Sequence, residues 1–190
     1  VDYTGSSEFG EWVETNAGDA IVYTEKSGIN SIIIDSVESM KPVSGNIGFS
    51  LCLYSGQMCT TPQNIFVPKE GIQTADGVMS FDEVAQSIVK AVDWMLSDQG
   101  RANEVLGAVQ NQATADRADQ VQGEVLRDGD GVEHAMFPEA RTRTIKIVKT
   151  SSSDIDTISQ EHFGPVVFIV ETDSTEDSIQ LASSIAQKHG

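Results

Sequence analysis

The chain is poor in positive charge. Its 190 residues carry only 12 Lys+Arg against 29 Asp+Glu, which gives a formal net charge of −17. A protein that binds the nucleic acid backbone needs a basic face that displaces counterions, and an anionic membrane attracts basic segments in the same way. The charge therefore argues against both partners. The content of 39% hydrophobic and 22% charged residues is otherwise typical of a globular protein.

Long hydrophobic runs are also missing. No window approaches the roughly 20 apolar residues of a membrane-spanning helix, and runs such as Ile32 to Ile34 have only the length of a strand. The start of the sequence, Val1 to Thr4, has neither a basic nor an apolar region, so we expect no secretory signal peptide there. Because the sequence lacks an initiator Met, we expect a cut or processed piece of a longer cytoplasmic protein.

Cysteine and histidine are rare. The two cysteines, Cys52 and Cys59, are too few for a disulfide scaffold and too far apart for a CxxC metal pair. No two of the histidines, His134, His162 and His189, have the i, i+4 spacing of a zinc-binding helix. We therefore expect no metal site, and we expect reduced cysteines, as in cytoplasmic proteins.

Short apolar strands alternate with amphipathic helices along the chain. Apolar and β-branched runs predict strands at 20–25, 30–35, 64–68, 145–148 and 166–170. Apolar residues at three- and four-residue steps predict helices at 8–15, 39–54, 81–98, 101–126 (interrupted near Gly107) and 175–187. This alternation predicts an α/β fold: a three-layer, open, twisted, mostly parallel sheet with helices on both faces. The weakest point along the chain lies near residue 28, between a short N-terminal unit and the rest.

Cys59 is the foremost candidate for chemistry. It lies in a glycine-containing loop, residues 55–62, between a predicted helix and a predicted strand. A loop thiol surrounded by backbone N–H groups can act as a nucleophile when its thiolate form is stabilised. A cysteine more often serves as a small hydrophobic residue, and position alone leaves both interpretations open for Cys59. For Cys52, inside a predicted amphipathic helix, we prefer the hydrophobic interpretation.

Other polar residues stand beside predicted strands and turns. Glu25 ends an apolar strand and could be a general base, or an ordinary solvated carboxylate. Glu161 could hold a ribose hydroxyl while Phe163 packs on a cofactor, or the two could be a turn acid and a core aromatic. Ser6 after Gly5 could contact a phosphate at the start of the next helix, or could belong to a plain turn.

Taken in order, these segments resemble the signature of the aldehyde dehydrogenase superfamily. They read Thr4-Gly5-Ser6-x-x-x-Gly10, then Glu25, then Gly56-Gln57-x-Cys59, then Glu161-x-Phe163-Gly164-Pro165-Val166. The 34 positions from Glu25 to Cys59 (59 − 25 = 34) are also similar to the family's spacing of acid and nucleophile. The resemblance extends over nearly the whole chain.

One segment departs from that family pattern. The family usually continues its Glu with Leu-Gly-Gly, whereas Glu25 is followed by Lys26-Ser27-Gly28, which leaves the position of the base in question. Residues 23–28 and 55–63 look most like the phenylacetic-acid-degradation branch of the family. That resemblance implies an aldehyde from aromatic catabolism.

The resemblance implies a role for each candidate residue. Cys59 would attack the aldehyde carbonyl, its own N–H would stabilise the oxyanion, and Glu25 would activate the water that hydrolyses the thioester. Glu161 and Phe163 would bind the nicotinamide ribose and ring of NAD or NADP. Gly5 and Ser6 would approach the cofactor pyrophosphate. Residues 1–27 would end the cofactor-binding domain, and residues 28–190 would form a catalytic domain truncated at its C-terminus.

Family members are more than twice this length, which implies further expectations. The chain would be inactive or nearly so by itself and would bind NAD or NADP poorly. The complete parent would be a homo-oligomer acting on a small-molecule aldehyde, including a CoA-linked one. Two alternatives are a non-catalytic α/β scaffold and a cysteine hydrolase. The hydrolase is disfavoured, because His162 is the sole histidine within a motif and no recognisable thiol–imidazole pattern surrounds it.

Overall fold

The chain begins with a small β-α-β unit. The computed structural model describes residues 1–26 and 28–189. Strands β1 (Asp2–Thr4) and β2 (Tyr23–Glu25) form a two-stranded parallel sheet and are joined by helix α1 (Ser7–Asn16). The predicted boundary at residue 27 involves Ser27, which lies outside the described residues, as does Gly190 at the other predicted limit.

Seven strands and six helices follow among the described residues. In chain order they are β3 (Asn30–Ile33), α2 (Met40–Cys52), β4 (Pro62–Pro68), β5 (Ile72–Thr74), β6 (Gly77–Met79), α3 (Phe81–Leu96), α4 (Gln99–Val105), α5 (Gln112–Gln120), β7 (Glu124–Arg127), β8 (Lys146–Ser151), α6 (Ile155–Ile158), β9 (Val166–Thr172) and α7 (Thr175–His189).

The central sheet has five strands in the order β3-β4-β9-β8-β7. The first four are parallel to one another, and β7 pairs antiparallel with β8 at the edge. Successive residues of β4 enter two different cores, because side chains of a strand alternate between faces. Ile65 and Val67 pack with α2, α3 and α4, whereas Phe66 packs with residues of α5, α6 and α7. The predicted mostly parallel sheet with helices on both faces is confirmed.

The helix predicted over 101–126 is interrupted near Gly107, as expected, but its C-terminal end is wrong, because Glu124–Arg127 form a strand. The chain there forms α4, an extended crossing at 106–111, α5 and the edge strand β7. Gly107 lies so close to the backbone of Tyr54 that a Cβ would come within 3.1 Å of the Tyr54 Cα. Asn111 then caps α5 by accepting from the N–H of Ala113 at 2.9 Å. Tertiary contact and a new cap therefore divide the segment.

The N-terminal helix also differs from expectation in its exposed aromatic residues. The apolar spacing of Phe9, Trp12 and Val13 predicts one buried face on this helix, but only Val13 of the three is buried. Phe9 and Trp12 stack on each other with ring centroids 5.4 Å apart and remain half exposed. Ser6 caps this helix, because its Oγ accepts from the N–H of Phe9 at 3.4 Å.

Candidate active site

Two of the candidate residues, Cys59 and Glu161, lie at the same end of the central sheet. Asn30 begins β3, Cys59 lies three residues before β4, and Glu161 lies five residues before β9. Because these three strands are adjacent and parallel, the segments before them meet at the same edge. It is the amino edge of the sheet, whereas ligand sites in open α/β sheets usually lie at the carboxyl ends of strands.

Cys59 lies in a tight turn that leaves its side chain exposed. The N–H of Thr61 donates to the carbonyl of Met58 at 3.0 Å, which closes the turn around Cys59 and Thr60. The side-chain amide of Asn30 donates to the carbonyls of Cys59 and Thr61 from β3. The predicted position of Cys59 in a loop between a helix and a strand is confirmed, and the structure shows in addition that its thiol is exposed and free. Cys52 is fully buried in α2, as the hydrophobic interpretation required.

Two strained residues precede this turn. Tyr54 and Ser55 have φ of 52° and 56°, in the left-handed region that is costly for residues with a Cβ. Ser55 is buried, and its Oγ donates to the carbonyl of Gly107 at 3.0 Å. Gly56 follows with φ of 68°, and a Cβ there would overlap the carbonyl oxygen of Gly164. This backbone path brings the Cys59 turn against the segment that carries Glu161.

Gln57 ties the same loop to the crossing at 106–111. Its Nε2 donates to the carbonyls of Tyr54 and Ala108 at 3.0 Å each, and its Oε1 accepts from the N–H of Gln110 at 3.1 Å. Sequence reasoning quoted Gln57 as part of a motif but missed this bracing role. The detectable signal was Gly107, the interruption noted in an otherwise helical pattern.

Glu161 is held by contacts on both sides of its backbone and at its carboxylate. The N–H of Gly28 donates to Glu161 Oε1 at 3.0 Å. Gln63 donates from Nε2 to the carbonyl of Gln160 at 2.9 Å and accepts from the N–H of His162 at 2.6 Å. Both neighbours of Glu161 are thus fixed by one buried amide.

A shift in the pairing of β3 with β4 places Gln63 against the segment that carries Glu161. Asn30 pairs with Pro62, but the next residue of β3, Ser31, pairs with Asn64, so Gln63 is an extra residue in β4. Such bulges redirect a side chain and are frequent beside active sites. Sequence reasoning missed Gln63, since a bulge leaves no mark in hydrophobic periodicity.

His162 is a partly buried imidazole whose contacts lie within the protein. Burial lowers its pKa; the carbonyl of Thr157, 3.2 Å from Nε2, acts in the opposite direction, and Arg117 lowers the pKa further. The ring also packs edge-on against Phe168 with centroids 5.1 Å apart. These contacts direct the imidazole into the protein, which argues further against a cysteine hydrolase.

Phe163 forms part of a small cleft beside the loop that carries Cys59 (residues 55–62, the thiol loop). It remains about one third exposed, at 36%, and its carbonyl accepts from Arg117 at 3.2 Å. The cleft is lined by Gly28, Met58, Thr61, Pro62, His162 and Phe163, among others. An exposed ring at such a cleft is available to pack on a planar group.

Glu25 lies in the N-terminal unit together with Gly5 and Ser6. The β1–β2 ladder pairs Thr4 with Glu25, and the N–H of Gly5 donates to the carbonyl of Glu25 at 3.0 Å. Gly5 has no room for a Cβ, because the ring of Tyr3 occupies that space. The turn before α1 and the candidate base are therefore adjacent.

The neighbours of Glu25 are bound to a single carboxylate on α1. Thr24 Oγ1 and, at 3.1 Å, Lys26 Nζ both donate to Glu14, and these bonds, that of Thr24 first, lower the pKa of Glu14. Since successive residues of a strand point to opposite sides, Glu25 projects away from α1. Lys26 stands where the family pattern has Leu, and its ammonium group forms an ion pair with Glu14.

The described residues form neither a metal centre nor a membrane-spanning helix. Within residues 1–26 and 28–189, no group of three or more His, Cys, Asp or Glu side chains is placed to hold a metal ion. No helix in the same described part of the chain is long and apolar enough to cross a membrane.

Comparison with known proteins assigns the chain to a family. Residues 1–186 match the aldehyde dehydrogenase family, and the chain belongs to that family. A crystal structure of an NAD-dependent aldehyde dehydrogenase from Burkholderia multivorans is 49% identical and superposes with a TM-score of 0.96. It matches 100% of this chain and 34% of that one.

More distant relatives match over a similar span. N-succinylglutamate 5-semialdehyde dehydrogenase of Burkholderia cenocepacia is 25% identical over 191 residues, covering 97% of this chain and 38% of the relative. The α-ketoglutarate semialdehyde dehydrogenase of Haloferax volcanii is 27% identical over 194 residues, with the same coverage of 97% and 38%. The chain therefore spans little more than a third of the length of these relatives.

Proposed function

We propose that this chain is the thiol-bearing part of an enzyme that oxidises an aldehyde to a carboxylic acid with NAD or NADP. The observation that carries the proposal is the convergence of an exposed Cys59 and a tethered Glu161 at one sheet edge, both joined to the residues that follow Glu25. Membership in the aldehyde dehydrogenase family supports it.

The residues of this chain suit each chemical step. The Cys59 thiolate attacks the aldehyde carbon and forms a thiohemiacetal, and the N–H of Cys59 donates to the oxyanion. Bound NAD(P)⁺ supplies the acceptor for the hydride that leaves this carbon. The acyl group then remains on Cys59 as a thioester. Glu25 takes a proton from water, which attacks the thioester and releases the acid and the free thiol.

The structure offers groups that fit the cofactor. Helix α1 points its N-terminus, capped by Ser6, beside an open cleft lined by Ser6, Glu8, Phe9 and Trp12, and helix N-termini favour phosphate groups. The Glu161 carboxylate uses one oxygen on Gly28, and its other oxygen can accept from a ribose hydroxyl. We assign residues 1–27 to the cofactor-binding domain and residues 28–190 to the catalytic domain on these grounds.

For the substrate we propose a semialdehyde or a ring-opened intermediate of aromatic catabolism, free or CoA-linked. Residues 23–28 and 55–63 support this through their likeness to the phenylacetic-acid-degradation branch, and two of the relatives above act on semialdehydes. We also propose that the parent protein is a cytoplasmic homo-oligomer. The 190-residue chain by itself should bind cofactor weakly, since it covers about a third of the relatives; equilibrium titration with a Kd equal to that of a complete enzyme would refute this.

Thiol reactivity tests the proposed function on the chain itself. A catalytic Cys59 should react with iodoacetamide faster than an unactivated thiol does at the same pH, because the thiolate is the reactive form. Peptide mapping by mass spectrometry gives the rate for each cysteine separately. A rate for Cys59 equal to that of an unstructured peptide with the same residues would favour the scaffold alternative.

A further inference from the structure

The turn that carries Cys59 is held from outside by one side chain. Asn30 Nδ2 donates to the carbonyl of Cys59 and, at 3.4 Å, to the carbonyl of Thr61. The turn's own closing bond runs from the N–H of Thr61 to the carbonyl of Met58. A single side-chain amide on β3 thus donates to the carbonyls of both Cys59 and Thr61.

The approach of β3 to this turn is close. A Cβ on Gly28 would lie 3.0 Å from the carbonyl oxygen of Cys59, which is nearer than most real Cβ contacts. The same Gly28 donates its N–H to Glu161. Residues 28–30 therefore fix the loop that carries Cys59 and the segment that carries Glu161 relative to each other.

We propose that Asn30 is a positioning residue that holds the Cys59 turn in the orientation needed for nucleophilic attack. Its N–H groups fix the peptide plane that follows Cys59, and with it the directions of the Cys59 side chain. The same N–H groups offset the partial negative charge on the Cys59 carbonyl oxygen. Without them, that charge would make a nearby thiolate less favourable. The inference deepens the proposed function, on which its relevance to catalysis rests.

Replacing Asn30 by Asp gives the sharpest test, because the two side chains have the same shape. The carboxylate cannot donate to the carbonyls and adds a negative charge beside the turn, which disfavours a nearby thiolate. We expect the alkylation rate of Cys59 near neutral pH to fall about tenfold, because the thiolate is the reactive form. Asn30→Ala removes the donor without adding charge, and its rate should fall less.

The experiment follows iodoacetamide labelling of Cys59 and Cys52 across a pH series in wild type, Asn30→Asp, Asn30→Ala and Asn46→Ala. Asn46 is an exposed residue of α2 and serves as the matched control. Thermal unfolding checks that each variant is folded, and Asn30→Ala carries the test if Asn30→Asp is unfolded. A lower Cys59 rate with Cys52 still protected supports the proposal.

Two results would overturn it. One is a Cys59 profile that is unchanged in both Asn30 variants. The other is a parallel rise in Cys52 labelling, which would mean that the substitution merely loosens the fold. A failure of the proposed function is seen separately, as a wild-type Cys59 no more reactive than an unstructured thiol, whereas the Asn30 proposal is judged on the ratio of variant to wild type.

Discussion

The backbone N–H of Gly28 donates to the Glu161 carboxylate at 3.0 Å, across 133 positions of the sequence. This bond joins the segment that follows Glu25 to the segment that leads into β9. Gly28 also packs against the carbonyl of Cys59. Three regions that are distant in sequence therefore meet at Gly28: the segment after Glu25, the loop that carries Cys59 and the segment that carries Glu161.

The two cysteines should differ sharply in reactivity. Burial raises the pKa of Cys52 to about 12, with a small opposing effect of Arg127, while Cys59 is exposed. We expect iodoacetamide to modify Cys59 in the native protein and Cys52 only after addition of denaturant, as peptide mapping would show. Comparable native labelling of both thiols would contradict the packing of α2.

The same burial predicts a pH dependence of stability. An unfolded thiol ionises near pH ~8.5, whereas the buried Cys52 thiol stays protonated until about pH 12, so ionisation favours the unfolded state between these values. The free energy of unfolding should fall as pH rises through this window. Urea titrations should show a smaller fall in Cys52→Ala; equal slopes in the two proteins would refute the assignment.

Gly56, in the loop that carries Cys59, should not tolerate a larger residue. In Gly56→Ala the new methyl group combines a φ of 68° with overlap of the Gly164 carbonyl, so we expect a loss of about 2–4 kcal/mol in unfolding free energy. Gly45→Ala in α2 is the control: its methyl group meets nothing within 4 Å and should stabilise the helix by about 0.5–1 kcal/mol. Equal effects of the two substitutions in chemical denaturation would be inconsistent with this geometry.

Lys146 is a buried lysine that terminates α5. Its Nζ donates to the carbonyls of Ala118 at 3.2 Å and Val121 at 2.9 Å. Lys146→Met should cost about 1–3 kcal/mol in unfolding free energy, because buried carbonyls lose their donors. The exposed Lys90→Met should change stability by less than about 0.5 kcal/mol. A neutral Lys146→Met would show that these carbonyls find other partners.

Acidification should lower the free energy of unfolding through His162, which follows Glu161 in the sequence. Because burial lowers the pKa of His162, the unfolded state takes up a proton first as pH falls below about 6.5. The stabilisation is therefore present above that pH and is lost on acidification. Urea unfolding at neutral and mildly acidic pH should show a weaker dependence in His162→Gln than in wild type or His134→Gln. The same dependence in all three proteins would exclude His162 as the cause.

Hydrophobic periodicity was sufficient to predict the four parallel strands of the central sheet and the helices α1, α2, α3 and α7. The alternation of Ile65, Phe66 and Val67 between two cores follows from residues that are apolar on successive positions. The interruption near Gly107 in the helix predicted over 101–126 is confirmed, and Gly107 there approaches Tyr54. The end of that predicted helix is instead strand β7, whose pairing with β8 is a tertiary contact that local propensity does not contain. The hairpin of β5 and β6 was missed, since its strands have three residues each.

The candidate site was predictable only in part. The position of Cys59 in a loop follows from the hydrophobic pattern, whereas its exposure and its neighbourhood with Glu161 depend on the strand order of the folded sheet. The amides that support them, Asn30, Gln57 and Gln63, make contacts across 29 to 99 positions, which spacing rules cannot reveal. The roles of all the candidate residues stay predictions that await measurement: Cys59, Glu25, Glu161, Phe163, Gly5 and Ser6.

The most direct test of the central claim follows NAD(P)H formation by absorbance in the complete protein that contains this chain. The substrates are aliphatic, aromatic, semialdehyde and CoA-linked aldehydes, and the variants are Cys59→Ala and, as the matched control, Cys52→Ala. The account predicts turnover in wild type and Cys52→Ala and its loss in Cys59→Ala. Turnover that persists in Cys59→Ala would contradict the account, as would a folded wild type that neither binds cofactor nor oxidises any aldehyde.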